Sequence, residues 1–138
     1  MPVTTTSVEN RDPAVRGRYP SPAADHAAQI ASALSDLRAE LESRGFVWTR
    51  FAGVDASGVY GGTNAELDSL HELKALELIH RSLTETADDR WERAASHYAQ
   101  RFYGRRNGRL FTTYDTDGNG SVSGGETARG YRPVKLGL

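Results

Sequence analysis

A mainly α-helical domain is what this sequence predicts, and two patterns within its 138 residues predict it. Apolar residues recur at helical spacing in separate stretches, and those stretches are bounded by residues that start and stop helices. The chain is also long enough for one domain with a real hydrophobic core. The expectation is a small domain of about three principal helices within residues 21–138, preceded by a disordered arm over residues 1–20.

The arm is read from composition. Met1 to Pro20 is rich in Thr, Ser, Pro, Arg and Asn with almost no apolar periodicity, so it has little apolar surface to set against the entropy lost on ordering. In composition alone it resembles the unstructured export signals of bacterial type III secreted effectors; an ordinary floppy terminus has the same composition.

The first helix is expected to open at Ser21-Pro22, serine as cap and proline at a position whose missing N–H costs nothing. Ile30, Leu34, Leu37 and Leu41 follow at helical spacing beside Ala24, Ala27 and Ala31, and Gly45 is the stop. Asp36, Arg38, Glu40 and Glu42 make its solvated face. Phe46-Val47-Trp48-Thr49-Arg50-Phe51 has the β-branched and aromatic content of a short strand or extended connector. Thr63 and Glu66 have the spacing of a capping box for the second helix. That helix carries Leu67, Leu70, Leu73, Leu76, Leu78, Ile79 and Leu83 on more than one face, so it is expected to be the most buried. Thr86 is expected to cap a third helix presenting Trp91, Ala94, Ala95, Tyr98 and Phe102.

Composition removes several functions. With no cysteine there is no disulfide framework, thiolate zinc site or cysteine nucleophile, so a metal must be held by oxygen or histidine. His26, His71, His80 and His97 have no metal spacing among themselves and read as structural. Glu77 and His80 stand three apart, as in carboxylate-bridged diiron bundles, but no second such pair exists. No coherent set of acid, base and nucleophile can be assembled, so the chain is not expected to be an enzyme. No apolar run reaches the roughly 18 residues that span a bilayer, and no apolar signal core is present. The expected location is cytoplasmic, or secreted without a cleaved signal peptide.

The net charge of −1 hides an asymmetry. Residues 1–100 carry ten basic against fifteen acidic side chains, and residues 101–138 carry seven against three. Arg101-Phe102-Tyr103-Gly104-Arg105-Arg106-Asn107-Gly108-Arg109 has the composition of a contact with nucleic acid or anionic lipid. It is equally the composition of a solvated helix end, where cations meet the negative pole of the dipole. Overall charge near zero, with no recognition motif, argues against nucleic acid.

The densest chemistry lies in Asp115-Thr116-Asp117-Gly118-Asn119-Gly120-Ser121-Val122-Ser123-Gly124-Gly125-Glu126. Asp115, Asp117 and Asn119 offer oxygens at alternate positions, Gly120 stands where the chain must turn sharply, Ser123 adds a hydroxyl and Glu126 a carboxylate. A hard cation of calcium's size takes roughly six to eight oxygens at about 2.3–2.6 Å, and a short turn can aim alternate residues at one centre. Gly, Asn, Asp and Ser are also the stuff of ordinary surface turns, but here they fill six specified places. The pattern resembles the calcium loop of an EF-hand.

The resemblance covers about residues 108–131. It implies Ca2+ held by Asp115, Asp117, Asn119, the Ser121 carbonyl, Ser123 directly or through water, and both carboxylate oxygens of Glu126. It further implies Phe111 and Tyr114 as core residues of an entering helix, and Val122 as the strand contact through which such loops pair. Gly130 and Pro133 should end an exit helix after about one turn, and Asn107-Gly108 should limit the entering helix to about two turns. Phe51-Ala52-Gly53-Val54-Asp55 repeats the spacing of Phe111 to Asp115, and Glu66 follows Asp55 as Glu126 follows Asp115. Val59 and Tyr60 fill the fifth and sixth places there, so residues 55–66 are not expected to hold calcium.

The functional expectation is calcium binding by one EF-hand-like loop in a non-catalytic regulatory or interaction protein, with affinity on the order of 10⁻⁶ to 10⁻⁴ M. The alternative is an exported bacterial effector or interaction module in which calcium is a structural staple. In that alternative the basic 101–109 segment contacts an acidic protein partner. A homodimer formed through Val122 is a further expectation.

Overall fold

The computed structural model describes residues 3–19, 25–83, 89–108, 110–111, 113–115 and 128–129. The protein is mainly helical, as expected. The helices are α1 (Thr5–Arg11), α2 (Ala27–Ser43), α3 (Ala65–Leu83) and α4 (Asp89–Gly108), with short 3-10 turns at Pro13–Val15, after α1, and at Trp48–Arg50, between α2 and α3. Strands β1 (Leu110–Phe111) and β2 (Ala128–Arg129) pair antiparallel, Leu110 opposite Arg129 and Phe111 opposite Ala128. No helix among the described residues is long and apolar enough to cross a membrane.

Helix α3 is the centre of the packing, with α2 and α4 against it. Leu67, Leu70 and Leu73 join Leu37, Leu41, Phe46, Trp48, Phe51, Phe102, Phe111 and Tyr114 in one apolar cluster. Ala75, Leu76 and Ile79 join Val3, Val8, Val15, Ile30 and Ala33 in a second, and half-buried Tyr98 packs against both. The all-round apolar pattern of α3 thus has the burial it predicts.

The N-terminal arm is corrected. Residues 3–19 are ordered: Thr4 and Ser7 exchange reciprocal cap bonds at the start of α1, and Val8 and Val15 are fully buried. Asp12 caps the following 3-10 turn through the Ala14 N–H at 3.1 Å, and Arg11 pairs with Glu72 on α3 at 2.8 Å. Valines at positions 3, 8 and 15 have no single helical or strand period, so a search for periodicity does not see them. Their burial against α3 offsets the ordering cost.

Two helix starts also differ from expectation. Ser21-Pro22 lies outside the described residues, and α2 begins at Ala27, whose N–H donates to Asp25 Oδ1 at 3.1 Å. Helix α3 is capped by Asn64, not Thr63: Asn64 Oδ1 accepts from the N–H groups of Glu66 and Leu67 at 3.0 and 3.2 Å. The Glu66 side chain turns away to Thr113, accepting from its N–H and its hydroxyl. Thr86 lies outside the described residues. The stop of α2 is as expected: Gly45 has φ +93°, and Gly45 and Phe46 donate back to Glu42 and Leu41, a closure that uses a left-handed residue after the cap.

The run Phe46–Phe51 is a connector and not a strand: Val47 and Phe51 are extended on either side of the Trp48–Arg50 3-10 turn, and Phe51 makes a single antiparallel bridge with Tyr114. The helices implied around residues 115–126 are replaced, in the described residues, by β1 and β2. Helix α4 runs through Gly108, beyond which the aromatic and β-branched Phe111-Thr112-Thr113-Tyr114 favours extended backbone. On the far side, Gly130 and Pro133 in sequence disfavour a helix.

Two stability outcomes follow. Val8→Ala should lower unfolding free energy by about 1–3 kcal/mol in urea denaturation, whereas a disordered arm would give no change. Asn64→Ala should cost about 2–4 kcal/mol, from a lost cap and two further orphaned partners, and Thr63→Ala should cost far less.

Candidate functional site

The mouth of the 115–126 loop is built from the aromatic cluster. Phe111 is fully buried and Tyr114 nearly so, with ring centroids 4.7 Å from Phe51 to Tyr114 and 5.0 Å from Phe46 to Tyr114. The Tyr114 hydroxyl accepts from the Val47 N–H at 2.8 Å. Ala52 N–H donates to Thr113 O at 2.7 Å and Asp115 N–H to Arg50 O at 2.9 Å, so residues 113–115 are stitched to 50–52.

Asp115 is buried at this mouth, 5% exposed. The other sequence-predicted ligands, Asp117, Asn119, Ser121, Ser123 and Glu126, lie outside the described residues, as does Val122. Among the described residues no group of three or more histidine or acidic side chains could hold a metal.

The repeated spacing at Phe51–Asp55 has a structural counterpart, though not as a second metal loop. The two similar segments lie side by side, Phe51 bridging Tyr114. Asp55 Oδ1 instead closes its own turn, accepting from Ser57 N–H, Ser57 Oγ and Val59 N–H at 2.9, 2.6 and 3.0 Å. The Ser57 hydroxyl bond, with the Val59 N–H, holds the Asp55 carboxyl below its ordinary value. Glu66, at the far end of that spacing, serves Thr113. The two carboxylates therefore have separate structural tasks.

Sequence reasoning missed a polar cluster where the N-terminal segment meets α3 and α4. Asp12 Oδ2 accepts from His80 Nε2 and from the Tyr98 hydroxyl, each at 2.8 Å. Burial would raise the Asp12 carboxyl, but the bonds from His80 and Tyr98 outweigh it and leave the group below its ordinary value. The His80 ring stacks on Tyr98 at 5.4 Å and tilts against Trp91 at 5.3 Å. A cleft of about 330 Å³ opens beside them, lined by Asp12, Arg18, His80, Arg90 and Trp91 among others. Asp12 and His80 are far apart in sequence, and neither lies in a motif; the Asp12-Pro13 cap was the only local signal. Glu77, the other half of the diiron spacing, pairs instead with Lys74 at 3.0 Å and Arg81 at 3.1 Å.

Buried histidines recur along the same seam. His71 Nε2 lies 2.8 Å from Ile30 O, and His26 Nε2 lies 3.0 Å from Val15 O. A carbonyl only accepts, so in both rings Nε2 carries the hydrogen. His71 borders a second cleft of about 400 Å³, with Val3, Ile30, Leu34 and Tyr60 among its walls. Burial holds the His71 ring below its ordinary value of 6.5, against the Ile30 bond and the nearby Asp68 and Glu72 charges.

Compared with known families, curated proteins and solved structures, the chain gives no match. Function is therefore argued from its own residues.

The His71 shift fixes a pH dependence. The unfolded chain takes up a proton near 6.5, while the folded chain resists until lower pH, so stability should fall as pH drops below that value. Urea midpoints measured from pH 8 down to pH 5, spanning about that window, should decline, and His71→Gln should flatten the slope. An unchanged slope in the variant would assign the effect to other groups.

Proposed function

We propose that residues 115–126 bind one calcium ion, in a non-catalytic protein whose C-terminal segment the ion orders. The observation that carries this reading is the donor set: Asp115, Asp117, Asn119, Ser121 and Ser123 offer oxygens at alternating places, and Glu126 adds a carboxylate three residues on, a set suited to a hard cation. Three carboxylates supply the formal charge. When bound, the ion would neutralise those carboxylates and make the basic 101–138 segment more positive, favouring an acidic protein partner.

The staple version of this reading gains support from the described flanks. A sensor opens by swinging helices, whereas β1 and β2 clamp the two ends of the loop together across two residue pairs. Asp115 is further tied through its backbone to Arg50, and Thr113 to Asn64 and Glu66. A loop clamped at both ends has little to swing. Its ion would therefore order the segment between the strands, leaving helix angles as they are.

Isothermal titration of the full chain with calcium should give one site with Kd on the order of 10⁻⁶ to 10⁻⁴ M, and Glu126→Ala should weaken it by at least about tenfold. Equal heats in the two proteins would sink the assignment. Amide exchange with and without calcium should show new protection confined to the loop and its flanks; protection spreading through α2 or α3 would point to a sensor.

A further inference from the structure

The N-terminal segment closes its backbone bonds within itself, in a way the calcium reading does not use. Thr4 and Ser7 cap the start of α1, Asp12 caps the 3-10 turn, and the N–H groups of Val8, Asp12, Val15, Arg16 and Arg18 all donate to carbonyls within residues 3–19. The Tyr19 hydroxyl reaches back to Glu9. Among the described residues no backbone-to-backbone hydrogen bond joins residues 3–19 to the rest of the chain. Lifting this segment away therefore breaks no backbone ladder on either side.

Side chains hold it in place. Arg11 pairs with Glu72 at 2.8 Å, and Asp12 accepts from His80 and Tyr98, each at 2.8 Å. His26 meets Val15 O through its ring at 3.0 Å and Thr5 Oγ1 through its N–H at 3.1 Å. Val3, Val8 and Val15 are buried in the smaller apolar cluster, with Ile30, Ala33, Ala75, Leu76 and Ile79. The larger cluster is different. All of its buried members lie between Leu37 and Tyr114, so it is complete without the N-terminal segment. One core needs residues 3–19 and the other does not.

We infer that residues 3–19 form a strap that opens as one unit while the larger core stays folded, uncovering the apolar face made by Ile30, Ala33, Ala75, Leu76 and Ile79. A part of a fold held by few apolar contacts opens at lower cost than the whole. The open form exposes much less surface than the unfolded chain, so urea promotes it only weakly. Asp12 is the main polar clasp, because its loss strands donors on both α3 and α4.

The test is native-state amide exchange of the full chain across sub-denaturing urea, without added calcium, joined to thiol labelling of Val15→Cys. That thiol is unique in a chain with no cysteine. Val15 is fully buried and lies outside α1, so fraying of that short helix does not expose it. The Val8, Asp12 and Val15 amides and the Val15→Cys thiol should report one opening, with a urea slope at most about half that of the Leu70 and Leu73 amides. Its population should exceed that of global unfolding at least about tenfold. Leu41→Val removes a methylene from the larger core and should speed exchange at Leu70 about threefold or more. It weakens closed and open forms alike, so strap opening should stay at its wild-type level. Asp12→Ala in the Val15→Cys background should speed labelling at least about tenfold. Strap amides with the urea slope of Leu70, Leu41→Val accelerating strap and core equally, or Asp12→Ala leaving labelling unchanged would each overturn the inference. The amide measurements need no substitution, so they decide the matter even where the cysteine variant is unstable. Because calcium is left out, failure here does not bear on the 115–126 loop.

Discussion

The side chain of Asn64 is the constraint on which the loop-bearing end of the protein depends. An amide has two donor hydrogens and one oxygen with two lone pairs, and Asn64 uses all of them. Its oxygen caps α3 through Glu66 and Leu67, and its nitrogen donates to Ala52 O at 3.0 Å and Thr113 Oγ1 at 2.9 Å. Only 2% exposed, it cannot trade any of these bonds for water. One residue thereby fixes where α3 begins, where the 50–55 turn sits and where the chain enters residues 115–126. Tyr60 guards the same corner. Its hydroxyl accepts from the Asn64 N–H and donates to Asp68 or the Asn64 carbonyl, and burial followed by the Asp68 bond pushes its proton loss well above the ordinary range.

Midway along α3 the binding logic changes from backbone capping to buried side-chain pairs. Lys74 lies over the Phe102 and Tyr103 rings at 5.3 and 5.4 Å while bonding Glu77, which also receives Arg81. Burial alone would depress the Lys74 ammonium, yet the Glu77 bond outweighs it and the group lies above its ordinary value. A buried pair of this kind is a weak source of net stability, but removing either member leaves a charge uncompensated. Both members lie on α3, so what this group contributes to the fit against α4 is the seat of Lys74 over the Phe102 and Tyr103 rings. The N-terminal segment is fitted onto α3 by Arg11, Asp12 and its valines.

How much of this was legible in the residues depends on whether the cause was local. The three principal helices follow from apolar spacing, of leucines in α2 and α3 and of alanines and aromatic residues in α4, and the Gly45 stop from its freedom to adopt positive φ. The ordered arm was illegible because Val3, Val8 and Val15 are buried by α3, many residues away, and leave no periodic trace. Thr63 and Glu66 fit a capping box in sequence, but Glu66 had a better partner in Thr113, which no local rule can supply. The Asp12–His80 contact is likewise a product of tertiary packing. Of the calcium donors, residue types and spacing were all that could be read; the structure adds Asp115 buried at a mouth framed by strands where the resemblance implies helices.

The arrangement also bounds how far any event at residues 115–126 can reach. From Asn64 to His80 is sixteen residues of sequence, about 24 Å of helix at the usual rise. Helix α3 has neither glycine nor proline along its 19 residues at which to bend. Leu67, Leu70 and Leu73 are locked in one core and Ala75, Leu76 and Ile79 in the other, all essentially inaccessible to solvent. Sliding or rotating the helix would break close packing in both at once, and packed interiors shift between discrete arrangements and do not yield gradually. An ion at the loop is therefore expected to act on β1, β2 and the chain between them, and not to reach the far end of α3.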